Sequence, residues 1–229
     1  MRILAFDTAT SACSAALWED GRVGARRFET MTRGHAEALV PMIADVMDEA
    51  GTNFPRLDLI AVTVGPGAFT GLRIGLAAAR GMALAAAVPC LGVTTLEAVA
   101  HGVSEGERAG ATLLVTFSSK RRDVYAQAFD ARLSPVFPPR ALLPGELMAL
   151  ALAGRVVVAG DAAGEMAAML KVHGIDAAPS AAAALPDAAV VAAVAARRWT
   201  PGEVTPAPAP LYLRPPDAKI PKEDSRRRS

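Results

Sequence analysis

Apolar and polar positions along the chain first alternate and then change period. "RILAFDT" is almost wholly apolar up to Asp7, the pattern of a central strand. "SACSAALWEDGRVGARRFET" alternates on both sides of Asp20-Gly21, a dipeptide suited to the positive φ of a tight hairpin turn. The chain therefore opens strand, turn, strand, hairpin, strand. In "GHAEALVPMIADVMDEAG" the residues Leu39, Ile43, Val46, Met47 and Ala50 recur at helical spacing, and Gly51 supplies the stop. Pro41 sits either in the first turn of that helix or at a kink. "LDLIAVTVG" predicts a buried strand, "TGLRIGLAAARGMALAAA" a helix, "VPCLGVT" a strand, and "TLEAVAHGV" the start of a further helix.

The plan then restarts. "ATLLVTF", a polar turn "SSKRR" and "DVYAQAFD" form a second strand-turn-strand unit. "GELMALAL" reads as helix, "RVVVAGD" as strand, and "AAGEMAAMLKVHG" and "PDAAVVAAVAARRW" as helices, before the stiff segment "TPAPAP" and a charged end. Strands alternate with helices, so the class is α/β with mixed sheets. Two halves that each open on a hairpin suggest duplication. The expected organisation is an N-terminal lobe over 1–105, a smaller C-terminal lobe over 106–213 and a charged, disordered tail over 214–229, with polar "GVSEGERAG" at the boundary.

Composition narrows the function. With 229 residues and 52% hydrophobic content, the chain buries roughly 70% of its unfolded surface and needs no metal or disulfide staple. Two cysteines, Cys13 and Cys90, fit a reducing compartment. The apolar start stops at Asp7, too short for a signal core, and 76–93 is broken by Arg80, Gly81 and Pro89; a cytoplasmic soluble protein is expected. A net charge of +1 and 5% aromatic content argue against a chain that holds nucleic acid alone, so any RNA contact is expected to be local or shared with a partner.

Candidate chemistry centres on "VGPGAFTGLRIGLAAARGMA". Gly65, Gly67 and Gly71 give G-x-G-x-x-x-G, one residue off the dinucleotide fingerprint, and no Lys-Ser or Lys-Thr follows as in a phosphate-binding loop. Thr70 is placed to cap the helix, whose N-terminus would attract an anion. A tight strand-to-helix turn explains the same glycines. Gly71, Gly75 and Ala79 share one helical face, while Leu72, Ile74, Leu76, Met82 and Leu84 make most others apolar. Such a helix wants cover on every side, from its own core or from a partner. Asp7, with Thr8 and Thr10, suits either a hydrated Mg²⁺ and phosphate or local turn chemistry. His35, His101 and His173 lack the i, i+4 spacing of a helical metal site, and the residues support no catalytic triad.

Five blocks carry a resemblance: "ILAFDTATSACSAAL", "HAEALVPMI", "VGPGAFTGLRIGLAAARGMA", "PCLGVTTLEAVA" and "PLYLRPPDA". Together they resemble the TsaB family, the bacterial dimerisation subunits of the tRNA threonylcarbamoyladenosine-modifying complex. The resemblance spans residues 3–218 and is loose over 130–205. It implies an actin-like (Hsp70-like, RNase H-like) fold of two related lobes with mixed sheets, the second reduced. It implies a heterodimer with TsaD, a larger relative that transfers threonylcarbamoyl to N6 of the tRNA adenosine next to the anticodon, and a ternary complex with the small ATPase TsaE. Contact with tRNA would then come only through the complex, and a lone chain could self-pair. No catalytic residue, metal or cofactor is expected in this chain. TsaD-like proteins carry His-x-x-x-His after a P-x-L-G-V strand; here those places hold Thr95 and Val99, with Glu97 between them. The second-half turn, acidic in many relatives, reads Phe117-Ser118-Ser119. The implied partner interface is Leu39, Ile43, Met47, Leu72, Gly75, Leu76, Ala79 and Arg80, and Asp7, Thr8, Gly65 and Gly67 are the remains of a nucleotide site. The competing reading is an actin-like ATPase or kinase working through Asp7 and the Gly65–Gly67 turn.

Overall fold

The computed structural model describes residues 1–214 apart from 151, 153 and 204, so the tail expected over 214–229 lies outside the described residues beyond Arg214. The first half runs β1 (Arg2–Asp7), β2 (Ala12–Glu19), β3 (Arg22–Thr30), α1 (His35–Glu49), β4 (Leu59–Thr63), α2 (Phe69–Ala86), β5 (Cys90–Val93), α3 (Thr95–Gly102) and the short α4 (Glu105–Arg108). The second runs β6 (Ala111–Ser118), β7 (Val124–Phe129), β8 (Arg140–Leu142), α5 (Pro144–Met148), β9 (Arg155–Ala159), α6 (Ala163–Val172), β10 (Ala177–Pro179) and α7 (Ala188–Arg198).

The two sheets have one topology. The first is ordered β3-β2-β1-β4-β5 and the second β8-β7-β6-β9-β10. In each, the opening hairpin is antiparallel and the next two strands join in parallel. This duplicated mixed sheet is the actin-like, RNase H-like α/β fold. The second copy is reduced, since β8 and β10 have three residues each against nine in β3. The β2–β3 hairpin turns at Asp20 (φ +46°) and Gly21 (φ +92°), as the dipeptide predicts.

Alternation in β1 divides the first lobe's core. Leu4 and Phe6 join Leu39, Ile43, Val46, Leu76 and Ala79 of α1 and α2 on one face. Ile3 and Ala5 meet Val191, Ala192, Val194 and Ala195 of α7 on the other. The second sheet packs α6 (Met166, Ala167, Leu170) on one face and α3 (Leu96, Val99, Ala100) on the other. Each half thus lends one helix to the other's sheet. The helix placed by sequence in the C-terminal lobe lies on the N-terminal sheet, because its alanines allow close seating on the small residues Ala5, Ala16 and Ala61. The "TPAPAP" segment also returns to the first lobe. Thr205 donates to the Cys90 carbonyl (3.3 Å), Arg80 Nε to Pro208 O (3.0 Å), and Leu211 N–H to Val64 O (2.7 Å).

Candidate functional site

Asp7 ends β1 fully buried. Its Oδ1 accepts from the Thr63 hydroxyl and from Ala9 N–H (3.0 Å), and Oδ2 has no partner among the described residues. Loss of hydration raises its pKa to about 7, against the opposing pull of those two hydrogen bonds. The folded state therefore holds this proton more tightly than the unfolded chain, whose carboxyl titrates near 3.8. Asp7's contribution to stability is full below pH 4 and is lost as pH rises through 7. Asp7→Asn is expected to flatten that fall and to gain on the order of 1–4 kcal/mol over the parent at pH 8 relative to pH 5. Chemical denaturation at the two pH values measures it, and equal slopes for both proteins would refute the assignment.

The glycine turn is filled by its own chain. Ala68 N–H donates to the Ala9 carbonyl (2.7 Å), and the missing side chain of Gly67 leaves room for that same carbonyl. Thr8 donates from Oγ1 to Gly71 O (2.7 Å), and a methyl on Gly71 would overlap the Thr8 carbonyl oxygen. A methyl on Gly75 would stand 2.7 Å from Thr8 Oγ1. Gly65, at φ +106°, makes room for Leu211. The glycines let the N-terminus of α2 sit directly on the Thr8–Ala9 backbone. The second lobe repeats the device, with Gly160 against the Thr116 carbonyl. Thr70 does not cap α2; Ala68 holds the cap position with no side-chain bond, and Thr70 is exposed.

The second-half turn is also self-satisfied. Ser118 N–H donates to Asp161 Oδ1 (2.7 Å), whose pKa burial raises, and Ser119 Oγ donates to Asp123. At the His-x-x-x-His places, Thr95 and Val99 are buried, and Glu97 is paired with Arg198 (2.8 Å). His35 Nε2 lies 3.0 Å from Thr10 O and His173 Nδ1 2.9 Å from Met169 O. His101 is half-buried and 2.9 Å from Arg197; burial, then the neighbouring Arg197, lowers its pKa to about 4.

The expected interface residues need correction. Leu39, Ile43, Met47, Leu72, Gly75, Leu76 and Ala79, seven of the eight, are buried in the chain's own core. The dominant apolar stripe of a surface helix faces its own sheet first, and these are that stripe. Arg80 is at the surface but is engaged with Pro208. The faces turned outward are different ones. On α1 they carry Val40 (55% exposed), Pro41 and Ala44; on α2, Ala77, Gly81, Leu84 (85% exposed) and Ala85. Pro41 lies inside α1, beyond its first turn. A Cβ at Gly81 would meet nothing within 4 Å, so this chain's own packing gives no reason for the glycine. The signal was present in the sequence: 77, 81, 84 and 85 form a second helical stripe, and Gly81 interrupts an otherwise good helix-forming run.

Residues 29–171 match the family model of TsaD, described as tRNA N6-adenosine threonylcarbamoyltransferase. YeaZ from Pseudomonas aeruginosa superposes with a TM-score of 0.75 at 30% identity, covering 93% of this chain and 99% of that one. The chain belongs to the TsaB/YeaZ branch of the TsaD family. An uncharacterised Mycobacterium tuberculosis protein is 35% identical over 224 residues, 95% of this chain and 93% of its own length. The tRNA threonylcarbamoyladenosine biosynthesis protein TsaB of Escherichia coli is 42% identical over 137 residues, 60% of this chain. The match spans about half the length of that relative, 53%. Among the described residues, no helix is long and apolar enough to cross a membrane.

Proposed function

We propose that this chain is a non-catalytic subunit that pairs with a TsaD-type tRNA N6-adenosine threonylcarbamoyltransferase. In doing so it supports transfer of threonylcarbamoyl from the adenylate to the tRNA adenosine next to the anticodon. The observation that carries the pairing is the outward sides of α1 and α2, where Val40 stands exposed on the first and Leu84, one turn from the unexplained Gly81, on the second. Small residues there allow a second pair of helices to approach closely, and a stable contact buries about 1,600 Å² in total. The enclosed Asp7 carboxyl favours an accessory rather than an ATP-consuming role, because it offers no surface to a hydrated metal. TsaE would join the pair, and tRNA would be reached within the assembly.

The test is reconstitution. TsaD, TsaE, threonylcarbamoyl-adenylate and tRNA are combined with and without this chain, and modified adenosine is quantified. Modification is expected to depend on the chain, with a one-to-one complex in solution by mass. Full modification without the chain, or Mg²⁺-dependent ATP turnover by the chain alone that Asp7→Ala removes, would refute the proposal. In the absence of the partner the same face is expected to self-pair weakly, in a homodimer that would dissociate on dilution.

A further inference from the structure

Between the start of α2, the β6–β7 turn and the returning segment 211–214 lies an open cleft of about 470 Å³. Its walls are aromatic and cationic: Phe69, Tyr125 and Tyr212 with Arg73, Arg121 and Arg214. Phe69 and Tyr212 are stacked at 5.6 Å and about half exposed (53% and 44%). The Arg73 guanidinium lies 3.9 Å over the Phe69 ring, and its Nε donates to the Tyr212 hydroxyl (3.3 Å).

The positive surface continues past the cleft. A second hollow of about 710 Å³ shares Arg121 and Arg214 and adds Arg122, and Lys120 extends the same turn on the other side. Among the described residues three acids face this surface, of which Asp161, near Lys120, accepts from Ser118 N–H (2.7 Å). Asp123 is paired with Arg214 (2.9 Å), and Glu146 accepts from Leu143 N–H (2.6 Å). Lys120, Arg121 and Arg122 are exposed, so the patch is cationic although the chain is nearly neutral overall. A single phosphate needs one or two such cations; a run along two adjoining hollows suits a chain of phosphates.

We propose that this cleft and the adjoining Lys120–Arg122 turn bind a short stretch of single-stranded RNA. One base stacks on the Phe69–Tyr212 pair, and successive phosphates lie along Arg73, Arg121, Arg214 and Arg122. The choice of RNA rests on the family's link to tRNA, and the site does not depend on the α1–α2 pairing. Stacking on an aromatic platform tolerates any base, and the arginines track the backbone, so the contact holds an unpaired strand without reading its sequence.

The experiment uses the full chain alone, with a fluorescein-labelled 12-nucleotide single-stranded RNA followed by anisotropy at low salt. Weak binding is expected, with log affinity falling against log salt with a slope of about −3, for roughly four phosphates at 0.7 each. Lys120→Glu with Arg122→Glu is expected to weaken it at least tenfold, and Phe69→Leu about fivefold or more. Arg22→Glu, on β3, leaves it unchanged. Circular dichroism melting confirms that each variant folds. Photo-crosslinking of 4-thiouridine RNA supplies a second readout, expected at Phe69 or Tyr212. No binding and no crosslink by the parent, equal weakening by Arg22→Glu, or displacement by AMP as effective as by unlabelled 12-mer would overturn the proposal. The last result would mark a mononucleotide site instead. The lone chain is used throughout, so failure here leaves the pairing test standing, and failure of pairing leaves this one standing.

Discussion

Gly81→Arg is expected to abolish pairing with a TsaD-type partner, weakening it at least a hundredfold, about 2.7 kcal/mol, while the isolated chain stays folded. The position is on the exposed side of α2, and the space where its side chain would begin is open. Replacing a mid-helix glycine there costs the free chain nothing and removes up to about 1 kcal/mol of intrinsic helix penalty. In the proposed complex the same position would lie where two helices approach within about 8–10 Å, so a guanidinium would either force them apart or be buried unpaired. Calorimetric titration against the partner, with a thermal melt of each free chain, separates association from folding. By contrast, Ile43→Asp and Leu76→Asp place a carboxylate at core positions 1% and 4% exposed, so they are expected to unfold the chain and report nothing about the interface.

Gly71→Ala is expected to destabilise the chain by about 3 kcal/mol or more, from a single added methyl. That methyl would collide with the Thr8 carbonyl oxygen, which belongs to backbone and cannot swing aside. Relief requires α2 to lift from the β1–β2 turn, breaking the Thr8 hydroxyl bond to Gly71 O and the Ala68 N–H bond to Ala9 O. Gly81→Ala, ten residues along the same helix, is expected to stabilise by up to ~1 kcal/mol. Urea unfolding of the two variants measures both signs. A mild Gly71→Ala would mean that the turn is loose enough to admit a ligand, which would return the glycines to a binding role.

The sequence showed the fold more fully than the site. The apolar run of β1, the alternation on both sides of Asp20-Gly21, and the second hairpin opening at 111 were enough to place two related mixed sheets, because strand pattern and turn chemistry are local. The exchange of α3 and α7 between sheets was not legible: an alanine-rich helix carries no mark of which sheet it will cover. The residues expected at the interface are buried for a related reason. Periodicity finds the most apolar stripe, here Leu39, Ile43, Leu72 and Leu76, and a chain buries that stripe against itself. The weaker stripe through Ala77, Gly81 and Leu84 is the one left outward. Asp7 and the glycines carried two readings in sequence, and their packing was not legible there, since only the structure brings Thr8 and Ala9 against Gly67 and Gly71.

The claim that this outward face is covered by a partner can be read directly at Leu84. In Leu84→Cys the new thiol is exposed, whereas Cys13 and Cys90 are buried, with burial pushing their thiols up to about 12 and about 11, so neither competes for reagent. The measurement is the rate of alkylation at position 84 in dilute chain, with and without a saturating TsaD-type partner. The account predicts rapid labelling of the free chain and at least tenfold protection in the complex; an unchanged rate in a complex whose mass confirms pairing would contradict it.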